Sequence, residues 1–394
     1  MQPKTLLRNV PLGYLRAFLV VLVVLHHAVL AYATFAPPQP ASLDANLLWT
    51  AFPIVDLHRW SGADLVVSFN DSFFMSLMFL LSGVFAWSAL ARKGTVRFLQ
   101  DRVRRLGLPF LVSAGVLAPL AYCAAWMSGQ SRTVPFWHQW LALGVWPAGP
   151  AWFLWVLLAF SLLVALAFRL GTGWSEALGR MAGSLGRRPW AFFSVLLVLS
   201  ALVYLPAAAM FGPERWIKAG PFFVQVSRVP LYLLYFLAGL GLGAHGREHG
   251  LLQADGRLAT RWWVWSIMAL AAFAVSVGTL LVILGSLQHG GPSPGLAMFG
   301  NFTFVLSCTT SSLAFLALFL RFARCPSPIF DSLDVNAYGI YLLHYACVAW
   351  LQWTLLPASL PGYAKALLVF VAALATSWSL SALLRRVPAV ARVV

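Results

Sequence analysis

Acids are scarce in this chain. Eleven aspartates and glutamates stand against 27 lysines and arginines, and charged residues of both signs fill only 10% of 394 positions. A soluble domain carries about 25% charged residues, so this composition excludes an ordinary water-facing surface. Cysteine is scarce as well. Cys123, Cys308, Cys325 and Cys347 make no CxxC pair, which argues against a disulfide framework or a metal site and leaves them as small residues in or beside apolar stretches. Polar stretches long enough for a folded soluble domain are missing, so residues 1–394 read as a single integral membrane domain. A cleaved leader is not expected either, because the first apolar run is long, is interrupted by Arg16 and shows no cleavage site.

What is present is apolar. Hydrophobic residues make up 61% of the chain, with a mean hydropathy of +0.81. A membrane span needs about 20 apolar residues, and ten stretches qualify: 12–34, 65–90, 106–128, 150–170, 191–211, 222–244, 262–284, 298–320, 337–356 and 363–384. The prediction is an all-α polytopic membrane protein with about ten transmembrane helices. If the N-terminus is cytoplasmic, only Arg59, Arg132, Arg215, Lys218, Arg228 and Lys365 among the cations fall towards the outer side. That asymmetry obeys the positive-inside rule and, with an even number of spans, puts both termini in the cytoplasm. The net charge of +16 is therefore topology, and no nucleic-acid partner is expected. The string GLGAHG at 241–246 ends a predicted span with no strand before it, so Gly239 and Gly243 are read as helix-packing residues rather than part of a dinucleotide loop.

Four segments, in the spans or in the loops that flank them, carry polar groups that could do chemistry. In the first span, Arg16 and His27 are eleven residues apart, which returns them to within about 20° of one helical face and separates them by about 16 Å along the axis. His26 falls on another face, about 80° away. Ionisable groups inside a span must face protein or a wet cavity, so this stripe points to a polar cavity. After the second span, Arg102 and Arg105 lie on one face just before Pro109. Two guanidinium forks there suit a phosphate ligand, or are part of the ordinary basic flank. The second span opens with Asp71, and Asp56, His58, Arg59 and Asp64 precede it, as a polar entrance or as plain loop polarity. The ninth span carries Tyr341 and His344 on adjacent parts of its surface; a lone intramembrane histidine is either a hydrogen-bonded core residue or a functional one. No metal-ligand spacing occurs.

Taken together, Arg16 with His27, the run Arg102-Val-Arg-Arg105, FFMSLMFLLSG in the second span, PAWFLWVLL in the fourth and YGIYLLHY in the ninth resemble the acyltransferase-3 family of integral membrane O-acyltransferases. The FND opening of the second span and the Arg-Leu-Gly-Leu-Pro run are similar to its periplasmic-glucan succinyltransferase branch. One position departs: family members commonly carry an aspartate three residues before the first-span arginine, and Gly13 stands here. The resemblance implies a multi-pass protein of the bacterial inner membrane that binds no permanent cofactor. It implies acyl-CoA (acetyl-CoA or succinyl-CoA) as donor and a glycan or other carbohydrate as acceptor, with membrane lipids around it. His27 and Arg16 would be catalytic, His27 as general base or acyl carrier. Arg102 and Arg105 would hold the nucleotide end of CoA, and Asp71, His344 and Tyr341 the acceptor substrate. For a succinyl donor, Arg228 or Arg59 is a candidate partner of the free carboxylate. The competing class is a proton-coupled transporter of glycans or organic anions, since intramembrane Arg, His and Asp suit that as well.

Overall fold

The computed structural model describes residues 9–39, 43, 50–129 and 134–393; Arg132 lies outside them. The chain is helical almost throughout. Eight stretches among the described residues are long and apolar enough to cross a membrane by length and composition. We number the long helices α1 (Val10–Leu30), α2 (Ser61–Arg102), α3 (103–128), α4 (Trp152–Leu170), α5 (Gly173–Gly186), α6 (Pro189–Phe211), α7 (Val229–His245), α8 (Trp262–Ser286), α9 (Pro294–Phe322), α10 (Pro328–Leu355) and α11 (Gly362–Leu384). Helix starts follow local chemistry. The Asn9 side chain accepts from Leu12 N at the head of α1, and the Ser293 side chain does so from Leu296 N before α9. Proline occupies the first turn of α6, α7, α9 and α10, where its missing N–H costs nothing.

Two boundaries differ from the sequence reading in ways that bear on the site. Residues 222–225, expected inside the sixth span, form an extended strand, β2 (Phe222–Gln225), antiparallel to β1 (Trp216–Ala219). α7 begins only at Val229, with Pro230 in its first turn. The ninth span was expected from 337, whereas α10 begins at Pro328 and carries Asp331, Asp334 and Asn336 inside the helix. These polar groups are satisfied by neighbouring helices. Tyr14 Oη lies 2.8 Å from Asp331 Oδ1, Arg16 Nη2 lies 2.6 Å from Asp334 Oδ1, and Ser381 Oγ of α11 donates to Asn336 Oδ1 at 3.0 Å. Hydropathy sees polarity but not its partners. Among the cysteines Cys308 is buried, but Cys325 is exposed past the end of α9.

Tyr14, Arg16 and His27 of α1 meet Asp331, Asp334 and His344 of α10 in the same order, so these helices run parallel. Gln352 Nε2 adds a bond to the His27 carbonyl at 2.9 Å. α2 is broken at Gly94, whose φ of 73° only glycine adopts without strain; Arg92 and Lys93 precede this break, and Arg97, Arg102 and Arg105 follow it. α3 contains two π-helical turns, Val103–Gly107 and Ser113–Leu117, each shortly before a proline, Pro109 or Pro119. Pro109 brings no N–H for the carbonyl four residues back. That carbonyl, on Arg105, instead accepts the phenol of Tyr338 on α10.

α2 and α7 approach closely through glycine, as Gly239 and Gly243 suggested. A Cβ at 239 would run into the Leu80 carbonyl, one at 83 into the Phe236 carbonyl, and one at 243 would lie 2.6 Å from Val84 O. Gly239→Ala is therefore expected to destabilise the protein by about 1–3 kcal/mol or more through backbone separation. Thermal unfolding in detergent checks this, with Gly278→Ala as control, because nothing lies within 4 Å of a Cβ there.

Candidate active site

Beside the C-terminal third of α1 lies a cavity of about 330 Å³. Its walls come from α1 (His26, His27), α2 (Asp71, Phe74), α10 (Tyr341, Tyr345), the loop at 50–52, residues 147–150 and the β1–β2 hairpin. Gly149 lets the wall close: its φ is +58°, and a Cβ there would sit 2.9 Å from the Tyr345 ring.

His27 has a defined tautomer by the company it keeps. Its Nδ1 lies 2.8 Å from the Val23 carbonyl, which only accepts, so Nδ1 carries the proton. Nε2 is then the nitrogen with the free lone pair. His344 stands behind it, completely buried. His344 Nδ1 meets the Tyr341 carbonyl at 2.7 Å, which leaves His344 Nε2 as an acceptor 3.4 Å from His27 Nδ1. His344 thus touches the back of His27 and is not part of the cavity wall. The His27 ring is also held edge-on to Tyr345, with centroids 5.2 Å apart.

His26 escaped the sequence reading, which put it on another face. Both imidazoles line the cavity, because a cavity at the side of a helix subtends more than one residue's arc. His26 stacks on Phe74 at 5.2 Å, and its Nδ1 is buried without a partner. A proton on Nδ1 would be a buried N–H with no acceptor, the rarer kind of orphan, so the Nε2–H tautomer fits this site. The one available signal was the adjacent pair itself, two histidines inside an apolar run.

Asp71 faces the cavity from α2, with Arg228 gripping its far side. Arg228 Nη1 and Nη2 reach Oδ1 and Oδ2 at 2.8 and 2.6 Å, a bidentate fork. Arg228 is therefore committed to Asp71, and Arg59 Nη1 donates to the Ala33 carbonyl at 2.7 Å. Neither lines the cavity; among the described residues the lysine or arginine that does is Lys218. The remaining loop polarity is tied down. Asp56 pairs at 2.7 Å with the fully buried Lys365, His58 Nδ1 lies 3.1 Å from Asp56, and Asp64 accepts from Thr34 N at 2.7 Å. Among the described residues no cluster of His, Cys, Asp or Glu fit for a metal ion is found.

Arg16, Arg102 and Arg105 lie outside the cavity lining. One face of α10 connects them to it. Asp334 holds Arg16, Tyr338 bonds the Arg105 carbonyl, Tyr341 bonds the Pro150 carbonyl, and Tyr345 reaches Tyr122 Oη at 3.3 Å. From Asp334 to Tyr345 this stripe spans about 16 Å. Arg102 rests on the Phe98 ring at 4.9 Å, whereas Arg105 is exposed.

The acyltransferase domain of the acyltransferase-3 family matches residues 10–385. The chain belongs to that family. It is an acyltransferase with a membrane-embedded helical body. No curated protein and no solved structure matches it.

Membership makes Gly13 pointed, and the geometry answers it. A Cβ at position 13 would lie 2.8 Å from Asp334 Oδ2. The carboxylate that orients Arg16 comes from α10, and the bare glycine makes room for it. Asp334→Gly is expected to lower transfer about tenfold, the low end of a charged hydrogen bond's worth, since the Arg16 side chain is 44% exposed. Gly13→Asp alone crowds Asp334 and should impair as well. The double variant Gly13→Asp/Asp334→Gly moves the acid back onto α1 and should recover most activity in the same turnover assay.

Proposed function

We propose that this acyltransferase moves an acetyl or succinyl group from cytoplasmic acyl-CoA to a hydroxyl of a periplasmic or lipid-linked glycan. In this reading ten helices cross a bacterial inner membrane, with both termini inside. The observation that carries it is His27: an imidazole on a polar cavity wall, with Nδ1 fixed on a carbonyl and Nε2 left as the base. Arg16, Arg102 and Arg105 at the basic end receive the nucleotide phosphates. The pantetheine arm follows the α10 tyrosines to the cavity. No permanent cofactor takes part.

As the acceptor hydroxyl attacks the thioester carbonyl, His27 Nε2 takes its proton. The new C–O bond forms, the C–S bond breaks, and the imidazolium returns the proton to the departing thiolate, giving free CoA. His26 offers its Nε2–H to the oxyanion from the same wall. Asp71 accepts hydrogen bonds from the acceptor's hydroxyls. The variant in which His27 carries the acyl group uses the same lone pair.

The test is CoA release from acetyl-CoA and from succinyl-CoA by protein in nanodiscs supplied with a glycan acceptor. Release from one of them, matched by acylated glycan, is expected. Silence with both donors alongside gradient-driven flux of glycan would replace this reading by a carrier.

A further inference from the structure

The β1–β2 hairpin has two faces with different chemistry. Side chains alternate along a strand with period two, so Trp216 and Lys218 of β1 share a side, and Glu214, in the turn before β1, meets the same cavity. The register pairs Trp216 with Gln225 and Lys218 with Phe223, which puts Gln225 and Phe223 on that side too. All five line the cavity. The opposite side holds the hairpin in place. Phe222 stacks on Phe110 of α3 at 5.4 Å and meets Trp155 of α4 edge-on at 5.6 Å, and Val224 is buried. Trp155 Nε1 donates to the Phe223 carbonyl at 3.2 Å, and Trp146 N to the Gly220 carbonyl at 2.9 Å. The hairpin is a fixed wall.

On the cavity side, Trp216 stands perpendicular to Trp152, with centroids 6.1 Å apart, and Trp152 stacks on Tyr232 at 5.7 Å. Trp152 and Tyr232 line the same space. Beside these rings the side chains of Glu214, Lys218 and Gln225 have no hydrogen-bond or ion-pair partner among the described residues. Broad aromatic faces flanked by an unengaged acid, amide and ammonium match one ligand chemistry well. A pyranose has an apolar C–H face that packs on an indole, and a rim of hydroxyls that donates to carboxylates and accepts from ammonium and amide N–H groups. A pocket with apolar walls and a few placed polar groups is the usual form of a small-molecule site.

We infer that the cavity face of the hairpin, centred on Trp216 with Glu214, Lys218 and Gln225, is the subsite that holds the sugar acceptor against His27. This rests on the acyl-transfer reading for its catalytic consequence, but not for the binding itself. The rival use of the same face, with Lys218 holding the carboxylate of a succinyl donor, is separated by which Michaelis constant moves.

The experiment combines equilibrium binding with turnover. Linear glucose oligosaccharides are titrated calorimetrically into wild-type protein in nanodiscs, then into Trp216→Ala, Trp216→Phe and Glu214→Gln. Saturable binding to wild type, weakened at least tenfold in Trp216→Ala and largely kept in Trp216→Phe, is the expected result. In turnover, KM for the glycan should rise at least fivefold in Glu214→Gln, with KM for acyl-CoA unchanged. No saturable binding to wild type, or affinity unaltered in both Trp216→Ala and Glu214→Gln, overturns the assignment. A rise in KM for succinyl-CoA without one for glycan overturns it in favour of the donor carboxylate. If wild type binds the oligosaccharide but releases no CoA, the subsite stands and the acyl-transfer reading falls. Should Trp216→Ala fail to fold, Glu214→Gln decides the question: an unaltered glycan affinity and KM in that variant then overturn the assignment.

Discussion

His27→Ala should reduce CoA release and glycan acylation by about 10²- to 10⁴-fold, the usual worth of a positioned general base, while the protein stays folded. Folding should survive because α1 is also fixed here by backbone contacts that do not use the imidazole. Gln352 donates to the His27 and Ala28 carbonyls at 2.9 and 3.1 Å, and neither bond needs the imidazole. The side chain's own polar contacts are with the Val23 carbonyl one turn back and, at 3.4 Å, with His344 Nε2. His344→Gln should cost less, about tenfold, since His344 meets the back of the ring and not the cavity. Turnover measured beside elution profile in detergent separates the outcomes. Unaltered CoA release from well-folded His27→Ala would remove the base from the mechanism, and loss of the folded peak would make the residue structural.

The helical membrane body was legible in the chain because lipid imposes it. The apolar stretches fall mostly within helices, although 31–34 lie past the end of α1, 222–225 form a strand, and eight stretches rather than ten are long and apolar enough to cross among the described residues. The strand and the early start of α10 share one cause. Whether a polar residue belongs inside a helix depends on a partner that one segment does not contain. Asp331 and Asp334 lie inside α10 because Tyr14 and Arg16 receive them. Phe222 and Val224 are apolar enough to read as span, yet they clamp a hairpin onto α3 and α4. Helical geometry put Arg16 and His27 on one stripe, and α10 meets both, but of the two His27 alone lines the cavity. His26 was missed, because angular arithmetic on one helix says nothing about the width of the cavity beside it. Arg228 was noticed as a cation, but its commitment to Asp71, 157 residues away in sequence, is a property of the packed bundle.

That commitment has an expected signature of its own. Arg228 is 6% exposed, its fork closes on both Asp71 oxygens, and its guanidinium lies 4.9 Å from the Phe304 ring centroid. Breaking a buried pair from one side costs about 3–5 kcal/mol, because the survivor is left charged and unmatched. The two sides are not equivalent here. A stranded carboxylate has an exit: it takes up a proton, and the Asp71 side chain, 40% exposed, already meets the cavity. A stranded guanidinium stays charged at any usable pH. Asp71→Asn should therefore destabilise more than Arg228→Gln, with Asp71→Asn/Arg228→Gln milder than the sum of the single changes by about 1 kcal/mol or more. Thermal unfolding of the four proteins in one detergent closes this cycle. Additive effects would mean that the pair is incidental to the fold, leaving Asp71 to be judged by its place on the cavity wall. A coupling of the expected sign would show that the cavity wall and the core are built from one ion pair, so that Asp71→Asn cannot be read as a substrate-contact variant without the Arg228→Gln background beside it.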